Sequence, residues 1–421
     1  MKKYILTNFL IIMLMALSGC NGVEDKGQKE FQEKVEIEET EEVEAFVESV
    51  SDNFVEEEFE EYDIQLMAVG DNLIHMGVVN SGMLEDGSLN YNFLYENMLE
   101  FISEAEISII NQETPLAGNE LGFSGYPTFN SPTQIGDAIV ESGFNVVLQA
   151  SNHTADKGIS GIDNCIAYWK NQPEVLLAGV HEPGDNEIPV LKVDDFSFAV
   201  LNYTYGPNYE SASSKLRDRL NILCYADEET DLIDFTRLNP QVLEDIKKAK
   251  EVADVVIVCP HWGTEYQTSA SSYQEEFAMQ MTEAGADLII GTHPHVVQPV
   301  EIIKASNGNE ALCYYSLGNY VSTQKKGLSM LEAMAWVNFH VSEEGIALSI
   351  EESGVLPMVC HYSAGPTRIE NIYLLEEYSS EMAQQHGIIS YGGITFEFED
   401  LQKWSEEILG EWILLARDVL Q

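Results

Sequence analysis

From residue 62 onward, short apolar runs alternate with longer amphipathic stretches, which is the sequence pattern of an α/β fold. Five of the runs are apolar enough to be strands buried on both faces. These predicted strands cover residues 64–69, 107–110, 146–148, 255–258 and 288–290. The pattern therefore predicts one α/β domain over residues 62–421, with no internal repeat and no second domain.

Amphipathic stretches between these strands predict helices at residues 133–142, 159–171, 241–253 and 272–284. Gly143 and Gly285 directly follow two of these stretches, and glycine at that position commonly ends a helix. Later in the chain, residues 311–315 and 334–341 predict further strands. Residues 400–420 predict an amphipathic closing helix.

A polar loop follows each of the five predicted strands, and every loop carries side chains that can bind a metal. The carboxyl ends of strands in an open α/β sheet line one functional crevice, so we expect the five loops to converge. A single His or Asp at a strand end is more often an ordinary buried polar group, but the repeated placement favours a site. The candidate ligands are Asp71, His75, Glu113, Asn152, His261, His293 and His295.

These candidate ligands offer only oxygen and nitrogen atoms, which suit a divalent first-row metal such as Mn, Fe or Zn. The cysteines after Cys20 are five in number and widely spaced, so they predict neither a disulfide framework nor a thiolate zinc site. A bridging carboxylate can hold two ions about 3.5–4 Å apart, and such a pair lowers the pKa of a shared water. Two divalent ions of open identity are therefore the predicted cofactors.

The first twenty residues have the pattern of a secretion signal. Lys2 and Lys3 precede a short apolar stretch, and Leu-Ser-Gly-Cys ends the segment at Cys20, which resembles a bacterial lipobox. The resemblance implies a cleaved signal peptide over residues 1–20 and a lipid on the Cys20 thiol. An uncleaved anchor or a plain signal peptide is the alternative, although the apolar stretch is short for a membrane span. We expect a lipid-anchored protein on the extracytoplasmic face of the cell membrane.

Acidic residues dominate the charge of the chain, with 71 Asp and Glu against 21 Lys and Arg and a formal net charge of −50. Nucleic acid is excluded as a partner, because its phosphates would be repelled. Residues 24–61 hold 17 of these acidic residues and only three lysines. The segment 21–61 is therefore predicted to be an extended, mostly disordered tether between the membrane and the domain.

Six short motifs resemble, in the same order, those of the CapA family of capsule-synthesis proteins, a branch of the calcineurin-like metallophosphoesterase superfamily. The resemblance covers roughly residues 63–322 and implies a four-layer α/β/β/α sandwich of the metallo-dependent phosphatase type. The motifs are Gly-Asp at 70, Asn-Gln-Glu-Thr-Pro at 111, Asn-His-Thr-Ala-Asp-Lys-Gly at 152, His-Trp-Gly-Thr-Glu-Tyr at 261, Gly-Thr-His-Pro-His-Val at 291 and Ser-Leu-Gly-Asn at 316.

The resemblance also implies roles for the side chains in these motifs. His153 would be the general acid or an oxyanion stabiliser, with Asp156 orienting it. The superfamily usually has Asp-x-His in its first motif, whereas here His75 stands four positions after the Asp, as a further candidate ligand. The implied ligands are Asp71 and His295 for one ion, Asn152, His261 and His293 for the other, and Glu113 as the bridge between them.

Other residues in the motifs have two interpretations. Glu265 either holds His261 through the distal ring nitrogen, as ligating histidines normally require, or is a solvated loop acid. Trp262 and Tyr266 either stack on a substrate or pack beside the site, and packing is the commoner role of such aromatic residues. Asn319 either caps a loop or faces the site.

Two functions from different classes follow. One is a phosphoesterase-like, two-metal hydrolase of capsule or poly-γ-glutamate biosynthesis, in which an activated water attacks a phosphoester and His153 protonates the leaving group. The other is a non-catalytic accessory protein that helps anchor or export an anionic surface polymer, such as poly-γ-glutamate, beside its membrane synthase. Lys157 is the single cation in the ligand loops, which is few for a phosphoester site. An anionic polymer would likewise be repelled unless metals or a local basic patch bridged it to the protein.

Overall fold

The computed structural model describes residues 59–208 and 211–420. Within those ranges the helices are α1 (Met76–Ser81), α2 (Leu99–Glu104), α3 (Gln134–Ser142), α4 (Gly158–Trp169), α5 (Ser214–Arg217), α6 (Pro240–Val252), α7 (Ser272–Ala284), α8 (Ser380–Gln385), α9 (Phe398–Leu409) and α10 (Ala416–Val419). The strands are β1 (Tyr62–Asn72), β2 (Ile107–Asn111), β3 (Val146–Leu148), β4 (Leu176–Ala178), β5 (Val190–Val193), β6 (Phe196–Thr204), β7 (Cys224–Ala226), β8 (Ile233–Leu238), β9 (Val255–His261), β10 (Leu288–Ile290), β11 (Val300–Lys304), β12 (Glu310–Tyr314), β13 (Asn319–Val321), β14 (Leu331–Ser342), β15 (Gly345–Ser363) and β16 (Arg368–Leu374).

Two sheets form the middle of the domain. The first has the order β16-β15-β14-β1-β2-β3-β4, and β13 also pairs with the end of β1. The second has the order β11-β12-β10-β9-β6-β5. β1 to β4 are parallel to one another, as are β6, β9, β10 and β12, and antiparallel strands extend both sheets. Parallel strands bring their carboxyl ends to one edge of a sheet, so each sheet presents several loops at the same edge.

The second sheet separates two hydrophobic cores, because successive side chains of a strand point to opposite faces. On β6, Phe198 and Val200 belong to the core that also contains β1 and β14 of the first sheet. Ala199 and Leu201 belong to the core that contains the buried residues of α6 and α7. The second sheet is therefore covered by the first sheet on one face and by helices on the other.

The two sheets pack face to face through aromatic side chains. The rings of Phe198 on β6 and Phe339 on β14 contact each other with centroids 5.3 Å apart. A helix also packs against β14, since the ring of Trp336 contacts the ring of Phe101 on α2. Trp336 and Phe339 pair with Met67 and Ile64 of β1, whose side chains point to opposite faces of the sheet. The order helix, sheet, sheet, helix confirms the expected four-layer α/β/β/α sandwich.

All five predicted buried strands are present, as β1, β2, β3, β9 and β10. The four predicted helices before residue 300 lie within two residues of their predicted bounds, and α7 has those bounds unchanged. Gly143 and Gly285 end α3 and α7 in the left-handed conformation, with φ of 100° and 118°. These two glycines supply a backbone angle that a residue with a Cβ adopts at a cost.

The prediction of one closing helix over residues 400–420 is wrong. α9 ends before Gly410, whose φ of 53° lies in the left-handed region that favours glycine. The chain then runs beside β15, where the Leu414 amide donates to the carbonyl of Val355 at 2.8 Å, and it ends in the short α10. The amphipathic pattern therefore belongs to two elements that are separated by an extended segment.

Several predictions about the amino-terminal part lie outside the described residues, namely the signal peptide over 1–20, the lipidated Cys20 and the tether up to residue 58. Across residues 59–208 and 211–420, none of the helices has both the length and the apolarity that a membrane crossing requires. The cysteines in this part of the chain are all buried and unpaired.

Candidate metal centre

Asp71 lies at the carboxyl end of β1, where neighbouring strands fix its carboxylate. Its amide donates to the carbonyl of Gly318 at 3.0 Å, and the Asn111 side chain donates to its Oδ1 at 2.8 Å. The preceding Gly70 allows this approach, because a Cβ there would overlap the carbonyl oxygen of Gly318. Asp71 is completely buried, and its position depends on the contact between β1 and the loop before β13.

Asp71, Glu113 and His295 form one group of candidate ligands. One oxygen or nitrogen atom from each lies within 4.8 Å of the other two. Nδ1 of His295 is 3.0 Å from Oδ2 of Asp71 and 3.8 Å from Oε2 of Glu113. Burial opposes the charged form of His295, but the carboxylates of Glu113 and Asp71 outweigh it and raise the pKa of His295 to about 9. The group therefore places two carboxyl groups and one imidazole within reach of a single cation.

Asn152, His261 and His293 form a second group beside the first. Oδ1 of Asn152 is 2.9 Å from Nε2 of His261, and the rings of His261 and His293 have centroids 4.8 Å apart. The contact between Asn152 and His261 is a hydrogen bond, and it brings one oxygen and one nitrogen ligand atom to the same point of the site. Burial, and then the neighbouring histidines, lower the pKa of both rings well below the usual range. Neutral imidazole is the form that binds metals.

Thr292 holds the other nitrogen of His261, since its Oγ1 lies 3.0 Å from Nδ1. The interpretation of Glu265 as that partner is wrong, because Glu265 is an exposed residue. Trp262 is buried and donates from Nε1 to the carbonyl of Tyr315 at 3.0 Å, which makes it a packing residue.

Glu113 belongs to the first group and is the most informative residue of the centre. It is completely buried, and neither carboxylate oxygen has a hydrogen-bond partner among the described residues. Burial, and then the charge of Asp71, raise its pKa well above the usual range. Nδ1 of His293 is also buried without a partner in the same part of the chain. Such groups are costly to bury alone, and this carboxylate and this imidazole are donors that a divalent cation accepts.

His153 faces the same space from the side of Asn152. Its Nδ1 is 2.8 Å from Oδ2 of Asp156, and its Nε2 is 4.0 Å from Oε1 of Glu113. Asp156 also accepts from the Phe129 amide at 2.7 Å, which fixes the carboxylate. The contact with Asp156 therefore leaves Nε2 of His153 directed at the candidate ligands.

His75 and Asn319 lie at the edge of the centre. His75 precedes α1, and its Nδ1 is buried without a partner in the described ranges, but it does not belong to the group of Asp71, Glu113 and His295. Burial, and then the nearby His295, lower the pKa of His75 to about 4. Asn319 faces the site, because its Oδ1 lies 3.1 Å from Nδ1 of His295.

Three residues that the sequence interpretation missed also contact the centre. Tyr205 packs against His293 with ring centroids 4.8 Å apart, and Phe129 meets His153 edge-on at 4.7 Å. The Asn152 side chain donates to Oδ1 of Asn208 at 2.9 Å. Tyr205 directly follows β6, a strand that the apolar run at 198–201 could have revealed. Because the other candidate ligands were found in loops that follow apolar strands, the same criterion would then have included Tyr205.

Backbone strain is concentrated at this centre. Five non-glycine residues of the described ranges have a positive φ, and three of them, Tyr266, His293 and His295, lie here with φ of 65°, 98° and 57°. Such conformations cost about 1–3 kcal/mol each and persist where surrounding contacts enforce them, often at functional sites. The Tyr266 amide donates to the carbonyl of Pro294 at 2.7 Å, which ties the two strained loops together.

The chain is similar in sequence to two curated capsule or PGA biosynthesis proteins. The chain is 31% identical over 233 residues to the capsule biosynthesis protein CapA of Bacillus anthracis, covering 52% of this chain and 51% of that protein. It is 29% identical over 205 residues to the PGA biosynthesis protein CapA of Bacillus subtilis, covering 48% of each. The match therefore spans about half the length of these curated relatives.

Among solved structures, a Staphylococcus aureus protein assigned as a 5′-nucleotidase, in complex with α-ketoglutarate, aligns at 15% identity with a TM-score of 0.42, over 70% of this chain and 54% of its own. A 5′-nucleotidase of Candida albicans aligns at 10% identity with a TM-score of 0.35, over 66% and 48%. The profile of the family described as "Bacterial capsule synthesis protein PGA_cap" matches residues 65–324. Because this match covers more than half of the 421 residues, the chain belongs to the PGA_cap family of bacterial capsule synthesis proteins.

Proposed function

We propose that this protein is a lipid-anchored, extracytoplasmic hydrolase of capsule or poly-γ-glutamate biosynthesis, with a dinuclear metal centre. Family membership and the names of the two CapA relatives support the biological setting. The second group of candidate ligands, Asn152, His261 and His293, supports the second metal. The substrate bond is a phosphoester or a related electrophile.

The observation that carries the proposal is the state of Glu113. Burying a carboxyl group without hydrogen bonds is destabilising whether the group stays ionised or takes up a proton, and a bound cation would offset that cost. Glu113 approaches His295 of one group and His153 beside the other, so its two oxygens are available to two ions. Asp71 and His295 would hold one ion, Asn152, His261 and His293 would hold the other, and Glu113 would contribute to both.

Two divalent ions at this centre would polarise the bond to be broken and supply a nucleophilic water at neutral pH. The protein's own residues would do the rest. Asp156 would accept a hydrogen bond from Nδ1–H of His153, and the imidazolium form of His153 would then give its Nε2 proton to the leaving group. Asn111 and Thr292 orient Asp71 and His261 through their side chains. The candidate ligands offer only oxygen and nitrogen atoms, which suit Mn, Fe or Zn.

The amino-terminal segment supplies the remaining parts of the proposal. The lipobox-like sequence ending at Cys20 would attach the protein to the outer face of the cell membrane through a lipid. The acidic segment up to residue 61 would then separate the domain from the bilayer. We propose that the partners are an anionic polymer such as poly-γ-glutamate and the membrane synthase that makes it.

The test is metal content by elemental analysis of the full-length protein purified in detergent. Wild type is compared with Glu113→Ala and His293→Ala, and with His181→Ala as a histidine outside the centre. Hydrolysis of a generic phosphodiester is measured in the same samples. We expect near two equivalents of transition metal in wild type and His181→Ala, and loss of metal and turnover in the two ligand variants.

Other outcomes separate the two function classes. Two equivalents of metal without turnover on any phosphoester would favour the non-catalytic role in anchoring or exporting the polymer. No bound metal in wild type after preparation with added Mn, Fe and Zn would overturn the metal centre. Loss of metal in His181→Ala to the same extent would show that the variants act by unfolding and not by removing ligands.

A further inference from the structure

Lys157 is the one cation that the sequence places in the ligand loops, and its ammonium group is already engaged in hydrogen bonds within the protein. Nζ of Lys157 donates to Oγ of Ser124 at 2.9 Å and to the carbonyl of Thr128 at 3.2 Å. Lys157 therefore fastens the loop that carries Phe129, whose ring contacts His153. A substrate with a negative group would need another cation.

Lys326 supplies a cation on the opposite side of the centre. Its Nζ lies 3.1 Å from the centroid of the Tyr266 ring, and that ring lies 6.1 Å from the ring of His295. A cation over an aromatic face is held by the ring quadrupole without losing its charge. Lys326 is exposed while Tyr266 is half-buried, so the ammonium group remains accessible above a fixed platform.

The platform is connected to the metal ligands by hydrogen bonds. Gln324 donates from Nε2 to the Tyr266 hydroxyl at 3.3 Å and accepts at Oε1 from the Asn319 side chain at 3.2 Å. Asn319 in turn contacts Nδ1 of His295 at 3.1 Å. The backbone of Tyr266 has a φ of 65° and is bonded to Pro294, between two of the candidate ligands. The chain therefore maintains a strained conformation that places this ring beside His295.

Lys326 also has no carboxylate partner within the part of the chain that the structure describes. No ion pair within 4.0 Å involves it among residues 59–208 and 211–420. Glu265 lies near the same ring, where burial and then its charge raise the pKa of Tyr266 to about 12. An unpaired ammonium group beside a metal centre is suited to a negative group of a bound molecule.

We propose that Lys326, held over Tyr266, binds a free α-carboxylate of a γ-linked glutamyl polymer while another part of the polymer occupies the metal centre. This inference rests on the proposed function and names the substrate class of that site. One ammonium matches one singly charged carboxylate. A phosphate is bound more often by Arg forks or several donors, and no arginine among the described residues contacts this platform. An anionic polymer would be repelled by a protein of net charge −50, and Lys326 would give it a local cation to bind.

The test measures binding of a short, fluorescently labelled γ-linked glutamate oligomer to the full-length, Mn-loaded protein by fluorescence anisotropy. Lys326→Gln should weaken binding about tenfold or more, because it removes one charge-assisted hydrogen bond. Lys326→Arg should restore most of the affinity. Tyr266→Leu should weaken binding as Lys326→Gln does, whereas Tyr266→Phe keeps the ring and should not. Lys192→Gln removes the same charge from the exposed part of β5 and should bind like wild type.

Each other result has a definite meaning. Unchanged binding by Lys326→Gln, equal weakening by Lys192→Gln, or no binding of the oligomer to Mn-loaded wild type would overturn the inference. Tighter binding of inorganic polyphosphate, with the same dependence on Lys326, would replace the carboxylate by a phosphate and also overturn it. Metal content is measured in every sample, so failure of the metal centre itself is seen separately. Metal must remain unchanged in Lys326→Gln, because that residue is not a proposed ligand.

Discussion

At the scale of single residues, Glu113 and Glu332 are completely buried glutamates whose carboxylate oxygens have no hydrogen-bond partner among the described residues. Burial raises the pKa of both, and the charge of Asp71 adds to the effect in each case. They differ in their surroundings, because only Glu113 belongs to a group of candidate ligands. The pair therefore allows the cost of a buried carboxylate to be separated from its use in metal binding.

We expect Glu113→Gln to have opposite effects on stability with and without metal. In chelator the change removes a carboxyl group that folding must either bury ionised or protonate above its usual pKa, so the free energy of unfolding should rise by about 1 kcal/mol or more. With Mn at about 100 times its dissociation constant, wild type should gain about 2.7 kcal/mol that the variant lacks. Thermal unfolding of the full-length protein is the measurement. The variant should have the higher unfolding midpoint in chelator, and wild type should have the higher midpoint in Mn.

Glu332→Gln is the matched control for this prediction. It removes a second buried carboxyl group, on β14, which folding must likewise either bury ionised or protonate, so it should also raise stability in chelator. Its response to Mn should equal that of wild type. Lower stability of Glu113→Gln in chelator would contradict the argument, because it would mean that protein contacts and not an ion compensate the carboxylate.

The residues of the site that could be predicted from the sequence are those in the loops after apolar strands. Asp71, Glu113, His261 and His293 were found because a buried strand immediately precedes each loop. Lys326 could not be found in this way. It lies in the segment between β13 and β14, and its contact with Tyr266 joins residues 60 positions apart in the sequence. Only the packed fold brings them together.

At the scale of elements, the strand and helix positions of the parallel part were predictable and those of the carboxyl-terminal part were less so. Continuous apolar runs indicate β9 and β10, which are buried along their whole length. β15 extends over Gly345–Ser363 and begins with exposed and half-buried residues, so its pattern is not that of a buried strand. The segment after Gly410 was misassigned because its amphipathic pattern does not reveal that it pairs with β15.

His386 fastens the segment after α8 to β15. Its Nε2 donates to the carbonyl of Cys360 at 2.9 Å, and its Nδ1 accepts from the Ile388 amide at 3.1 Å. Both ring nitrogens are therefore used in the neutral form. Burial, partly opposed by the bond to Cys360, lowers the pKa of His386 to about 3. Protonation would cost the bond from Ile388, because a protonated Nδ1 cannot accept.

This contact predicts a loss of stability in acid. The unfolded chain binds a proton on His386 below its usual pKa of about 6.5, whereas the folded chain does so only near 3, so stability should fall as the pH decreases through this window. Relative to pH 8, the loss from this residue should be about 2 kcal/mol at pH 5. His386→Asn should flatten that part of the profile of unfolding free energy against pH, measured in chelator.

The pKa of His340 is shifted in the opposite direction to that of His386. Its hydrogen bond to Asp63 raises its pKa, so its contribution is present at low pH and is lost as the pH rises through the raised pKa. His340→Asn should therefore reduce stability on the acid side. The same change of profile in both variants would contradict the assignment of the acid sensitivity to His386.

At the scale of the whole molecule, charge is the property that composition predicts most directly and that the fold does not remove. The formal net charge is −50, with more than three acidic residues for each Lys or Arg. Exposed ion pairs such as Lys247–Glu244 and Lys304–Glu310 contribute little, typically less than about 1 kcal/mol each. Mutual repulsion among unpaired carboxylates should therefore dominate the electrostatic part of the stability.

Stability of the whole protein should accordingly increase with ionic strength. The screening length falls from about 30 Å at 0.01 M salt to about 10 Å at 0.1 M, so most of the repulsion between distant carboxylates is removed over this range. We expect the midpoint of thermal unfolding, measured in chelator, to rise between these salt concentrations. Choline chloride should act like sodium chloride, because screening does not depend on which cation is present. A fall in the midpoint would mean that attractive ion pairs outweigh the repulsion, and a rise with sodium alone would point to binding of that cation at particular carboxylates.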